Sequence, residues 1–199
     1  MTTTGILRLT AQYLNEINDS VIGQSVSGGQ AYDGQLGAFM VLNAEDAAKL
    51  SKTSVGTLYA GVYQYVKFKA GTTASNIVGG PVYWSDPDNF VVTPDVPTGF
   101  PGFAGVSLNA VTKGNYGFIL VEGKGLAHAL ANTTKGSPAA GDNLILTSTA
   151  GAFDDLADAT AFTGANLKLY VGQWIQAPVD ASGGGNYLAY IKARRNAAQ

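Results

Sequence analysis

Beyond residue 53, apolar side chains recur at alternate positions in short runs, the period of a strand with one face buried. Between Tyr59 and Lys69, Tyr63, Tyr65 and Lys67 fall on one face, and Val62, Gln64, Val66 and Phe68 on the other. Val82-Tyr83-Trp84 and Phe90-Val91-Val92 flank Ser85-Asp86-Pro87-Asp88-Asn89. Proline and aspartate supply the turn geometry there, so the two runs read as a hairpin. Phe103 to Leu108 and Tyr116 to Glu122 make a second strand pair around Lys113-Gly114-Asn115. Leu144 to Thr147, Leu167 to Ala177 and Tyr187 to Lys192 complete the strands. Short strands at this spacing with glycine turns predict an all-β sandwich or barrel.

Residues 1 to 52 read differently. Ile6-Leu7-Arg8-Leu9-Thr10 has the pattern of a short strand, and the glycine-rich stretch from Ser25 to Gly37 reads as an extended arm or long loop. Asn43 to Leu50 is the one helix candidate. Asn43 can cap it, and Glu45 and Asp46 suit the positive end of the helix dipole. Ile6, Leu7, Leu9, Tyr13, Leu14, Ile17 and Val21 are too apolar for a solvated tail, so the arm is expected to be covered by another chain, the alternative being that it supplies a strand to its own barrel.

The β region carries an internal repeat. Val82-Tyr83-Trp84 matches Leu144-Ile145-Leu146, and Phe103 to Ala110 matches Tyr170 to Ala177. Each of the latter is followed by Gly-Asn-Tyr and an apolar strand, at Gly114-Asn115-Tyr116 and at Gly185-Asn186-Tyr187. The expectation is a duplicated unit of two four-stranded halves, neither able to bury its apolar face alone. The implied division is an arm and short helix over 1–52, a first β half over 53–127 and a second over 128–199.

Composition narrows the chemistry. The 199 residues hold 12 basic and 14 acidic side chains, and 26 glycines. Charge is therefore 13%, half the usual share of about 25%. So bland a surface points to subunits that cover one another, because interface cores are poor in Lys, Glu and Asp. A net charge of −2 argues against nucleic acid as a partner, and no apolar run approaches the ~18 residues of a membrane helix. Met1-Thr2-Thr3-Thr4-Gly5 has no basic, apolar leader pattern, so no targeting segment is expected. The chain lacks cysteine, which removes disulfides and thiolate metal sites.

Candidate reactive groups all have simpler readings. His128, the only histidine, lies in an apolar stretch without a nucleophile elbow to serve it, and reads as a packed or hydrogen-bonded residue. Asp86 and Asp88 begin like a calcium loop, but the next ligand position is Phe90, so a turn role is expected. Asp154, Asp155 and Asp158 read as caps of a short helix through Leu156 and Ala159. Gly123-Lys124-Gly125 lacks the spacing of a phosphate loop and reads as a tight turn. Arg194-Arg195 reads as a solvated tail. Tyr59, Tyr63, Tyr65 and Phe68, with Phe90, Phe100 and Phe103, could form a carbohydrate platform, or else a β core and subunit interface. No catalytic, metal or cofactor site is expected.

Three stretches carry a family resemblance: Gly79-Gly80-Pro81-Val82-Tyr83-Trp84-Ser85-Asp86, Phe103 to Leu108, and Gly114 to Gly123. A strand of the form G-x-x-V-Y-W, then G-V-(S/A)-L, then a strand ending V-x-G resembles the head decoration or cement proteins of tailed bacteriophages. The resemblance spans residues 70 to 125, reaches the second half only through the repeat, and leaves out residues 1 to 52. It implies a non-enzymatic virion protein without cofactor, assembled in the host cytoplasm. Such a protein binds the major capsid protein on the capsid exterior as a homo-oligomer, often a trimer, and steadies capsomer junctions. The alternative is a phage fibre or adhesin module that binds host carbohydrate.

Overall fold

The computed structural model describes residues 36–51, 57–98, 102–130, 139–154, 170–178 and 184–193. Among them the chain forms ten strands and one helix: β1 (Phe39–Leu42), α1 (Ala44–Ser51), β2 (Gly61–Phe68), β3 (Pro81–Asp86), β4 (Val91–Thr93), β5 (Phe103–Ser107), β6 (Tyr116–Ala129), β7 (Asn143–Leu146), β8 (Phe153–Asp154), β9 (Tyr170–Trp174) and β10 (Gly185–Lys192). The fold is all-β and closed.

Strand pairing closes twice. In the first ring, β2 pairs with β4 in parallel, and the circuit β4–β3–β5–β6–β2 is antiparallel throughout. In the second, β6 pairs with β8 in parallel, and β8–β7–β9–β10–β6 is again antiparallel. The two rings have the same order and sense, and they share β6. The expected pair of four-stranded halves is therefore two five-membered rings with a common strand. The anticipated division after residue 127 falls inside that strand.

The repeat holds residue by residue. Val82 pairs with Gly105 and Tyr83 with Phe103, with a register shift between them. Leu144 pairs with Gly172 and Ile145 with Tyr170, with the shift at the same place. Phe68 meets Val92 as Ala129 meets Phe153. Phe90 and Gly151, one step before Val91 and Ala152, both have positive φ, at 52° and 80°. Phe90 thus lies in the turn before β4 rather than in the strand the sequence predicts. The Gly-Asn-Tyr match slips: Lys67 faces Tyr116, while its counterpart His128 faces Asn186, one place before Tyr187, and the register shift between Val62 and Tyr63 has no counterpart in the β6–β10 pairing.

β6 is the main departure from the sequence expectation. It runs for 14 residues, straight through Gly123-Lys124-Gly125. Those glycines do not make a turn. At Gly123 the strand is flanked by Gly61 on one side and Ile191 on the other. A Cβ there would stand 2.6 Å from the Gly61 Cα and 2.7 Å from the Ala60 carbonyl oxygen. The glycine permits close approach of backbones where the shared strand passes from one ring to the next.

α1 forms as its cap predicts. The Asp46 N–H donates to the Asn43 side-chain oxygen at 2.8 Å, and Glu45 and Asp46 sit in the first turn. β1, which the sequence pattern did not reveal, pairs with β2 so that Met40 faces Tyr63 and Leu42 faces Gly61. Met40, Leu42 and Ala47 join one apolar cluster with Leu58, Tyr63, Tyr65 and Leu120. The end of the expected arm is thus part of the folded body. Asp154 lies in β8, opposite Ile145, and not at a helix cap. Asp155 and Asp158 lie outside the described residues, as do Arg194, Arg195 and Phe100.

Candidate functional site

The titratable side chains singled out by the sequence are engaged in local structure. Asp86 accepts from the Asn89 side chain at 2.8 Å and from its backbone N–H at 3.3 Å, which fixes the β3–β4 turn. Asp95 accepts from the N–H groups of Thr73 and Ala74, at 3.1 and 2.6 Å, and holds that loop. The His128 Nδ1 lies 3.0 Å from the side-chain oxygen of Asn186, its pairing partner in β10, and its backbone N–H donates to the Gly79 carbonyl. His128 therefore ties the 77–80 loop of the first ring to the second. Among the described residues, no group of three or more His, Asp or Glu side chains is placed to hold a metal ion.

The aromatic residues divide sharply. Tyr63, Tyr65 and Phe68 are buried and cannot offer a flat platform for sugar. Tyr65 packs on Tyr116 and Phe118, with ring centroids 6.1 and 5.1 Å apart. Phe103 bridges Tyr83 of the first ring and Phe153 of the second by edge contacts at 6.4 and 6.0 Å. Burial pushes the Tyr63 phenol up to about 12, partly offset because its O–H donates to the Tyr59 carbonyl at 2.6 Å. Burial raises Tyr83 further, and its hydroxyl has no hydrogen-bond partner among the described residues.

The repeat makes an internal comparison possible. Across β2, β6 and β5 of the first ring, Tyr63 faces Leu120, and Leu120 faces Val106. All three are about 1% exposed. The counterparts across β6, β10 and β9 are Lys124, Tyr190 and Gln173, paired in the same order. Lys124 and Gln173 are exposed, and Tyr190 is 44% exposed. Phe103 is buried where its counterpart Tyr170 is 40% exposed, and Ile175, just past β9, is 42% exposed.

The first sheet is covered by its own chain. Leu58 and Tyr59 lie over Tyr63, and with Val78, Val106, Leu108 and Leu126 they line a cleft of about 280 Å³ at the seam between rings. Lys124 reaches back to this cover, its Nζ 5.6 Å from the centre of the Tyr59 ring. The second sheet face, β6–β10–β9, carries half-exposed tyrosine and isoleucine among amide and ammonium groups. Tyr and Ile set among polar groups give a composition suited to contact with a macromolecule. Reasoning from sequence missed this face because Gly123-Lys124-Gly125 concealed the continuity of β6. The offset between the two Gly-Asn-Tyr motifs was the signal that could have located it. The seven arm residues Ile6, Leu7, Leu9, Tyr13, Leu14, Ile17 and Val21 lie outside the described residues.

No family model matches the sequence, and no curated protein matches it significantly. Among solved structures, the N base of the head fiber gp8.5 of bacteriophage phi29 aligns at 14% identity, covering 65% of this chain and 92% of that one, with a TM-score of 0.39. A score at that level assigns neither fold nor role to this chain.

Proposed function

We propose that this chain is a structural protein of a tailed-bacteriophage virion. It binds the outer surface of the capsid as a homo-oligomer, a trimer in the simplest case, and bridges neighbouring copies of the major capsid protein. Its task is mechanical, with no reaction and no cofactor. The observation that carries the reading is the contrast between two equivalent sheet faces, one buried within the chain and the other open with Tyr170, Ile175 and Tyr190 exposed. The residues that resemble decoration proteins support it. They build β3, β5 and the first half of β6, strands of the first closed ring. A rigid double ring repeated over a lattice gains hold through many weak contacts made at once.

The test is to mix purified protein with capsids that lack it and count bound copies by gel densitometry and particle reconstruction. Saturable binding at hundreds of copies, with a higher particle melting temperature, is the expected result. About a dozen copies confined to special positions would point instead to a fibre or adhesin module. No binding at any concentration would overturn the reading.

A further inference from the structure

We propose that the outer face of β6–β10–β9 receives the apolar N-terminal segment, residues 6–21, of a second copy of this chain. The proposal rests on the oligomeric reading above and names the surface through which it works.

Four observations lead there. First, the same positions in the first ring are buried, and Leu58 and Tyr59, just before β2, line the cleft over Tyr63, Val106 and Leu120. This fold buries that sheet face when it has a cover to do so. Second, duplication did not provide a second cover. Shifting residues 36–58 by the 61 positions that separate Phe68 from Ala129 gives 97–119, and β5, the start of β6 and the loop between them already occupy 103–119. Third, within a single chain Tyr170, Ile175 and Tyr190 stay 40–44% exposed. Fourth, one stretch of sequence remains with the right chemistry. Residues 6–21 hold seven large apolar side chains, and their charges, Arg8, Glu16 and Asp19, sum to −1. The charges on the face, Lys124, Lys192 and Glu122, sum to +1. An apolar segment of slight negative charge would cover the tyrosines and isoleucine while its carboxylates meet the lysines.

The absence of native cysteine makes the test clean. Full-length Tyr190→Cys and Leu14→Cys chains are mixed in equal amounts and oxidised mildly, and the products are separated on a non-reducing gel. The expected product is a mixed disulfide dimer, and each variant alone should give little. Self-pairing of Tyr190→Cys would mean that two such faces meet each other, and would overturn the proposal. So would a fast-running monomer from the double variant with no mixed dimer, since the segment would then cover its own chain. Light scattering of the wild-type chain separates the two levels of the account. An oligomer that yields no mixed disulfide defeats this docking and leaves the oligomeric reading standing; a monomer at every concentration defeats both. Ile175→Ser with Tyr190→Ser is expected to raise the concentration for half-assembly at least tenfold, with an unchanged circular dichroism spectrum.

Discussion

The first and second rings have the same strand order, the same mixture of one parallel and four antiparallel pairings, and the same register shift between adjacent strands. Their outer faces differ: Tyr63, Leu120 and Val106 are buried where Lys124, Tyr190 and Gln173 are not. Ring closure is a backbone matter, set by bulges and close approaches, and it tolerates a change of every outward side chain. The outer face is a side-chain matter, and here it separates Tyr63, Leu120 and Val106, buried within the chain, from exposed counterparts in the second ring. β6 links the two cases because the same strand ends the first ring and begins the second.

The comparison breaks most severely at its shared close contact. A Cβ on Gly172 would stand 2.0 Å from the Tyr190 carbonyl oxygen, and one on Gly105 2.5 Å from the Leu120 carbonyl oxygen. Neither oxygen can swing aside without moving a strand. Gly172→Ala and Gly105→Ala are each expected to cost about 3 kcal/mol or to prevent folding, as measured by urea unfolding. Loss at one site only would show that the rings are closed by different means.

Alkaline pH probes the buried phenols of the first ring. The folded state holds Tyr63 neutral up to about 12, against an ordinary value of 10.0. Its contribution is therefore complete below pH 10 and is lost as pH rises toward 12. The slope is about 1.4 kcal/mol per pH unit for each such tyrosine, some 2.7 kcal/mol in all for Tyr63. Urea midpoints measured between pH 9 and 11.5 should fall accordingly, and Tyr63→Phe should flatten part of the decline.

Smaller effects sharpen the picture. Tyr83→Phe removes a buried hydroxyl without a partner among the described residues and is expected to stabilise the chain by about 1 kcal/mol. Tyr63→Phe removes the bond to Tyr59 and is expected to cost about 1 kcal/mol. Thermal melts of the pair should move in opposite directions. The smallest change is at the cover of the first ring: Asn43→Ala, which loses the helix cap, should cost ~0.5–1 kcal/mol.

Much of this architecture is written in local pattern. Alternation located β2, β3, β5, β7 and β10, turn residues located the β3–β4 hairpin, and Asn43 marked the start of α1. The duplication was legible because Gly105 and Gly172 sit at equivalent close contacts, and such contacts constrain residue type. The misses have physical causes. β1 and β8 are too short for a period to show. β6 was cut at residue 122 because glycine serves both turns and close backbone approach, and sequence does not tell the two apart. The open face left only the offset between the two Gly-Asn-Tyr motifs as a signal, since Lys124, Tyr190 and Gln173 come together only through strand register.

Radical footprinting of tyrosine side chains tests the central claim most directly, because both faces report in one experiment. Free chain at high dilution and the assembled form, in solution or on capsids, are exposed to the same hydroxyl-radical dose and compared by peptide mass. Tyr63 should be protected in both states. Tyr170 and Tyr190 should be modified readily in the dilute chain and become protected several-fold on assembly. Equal modification of Tyr190 in the two states, with assembly confirmed by light scattering, would contradict the account.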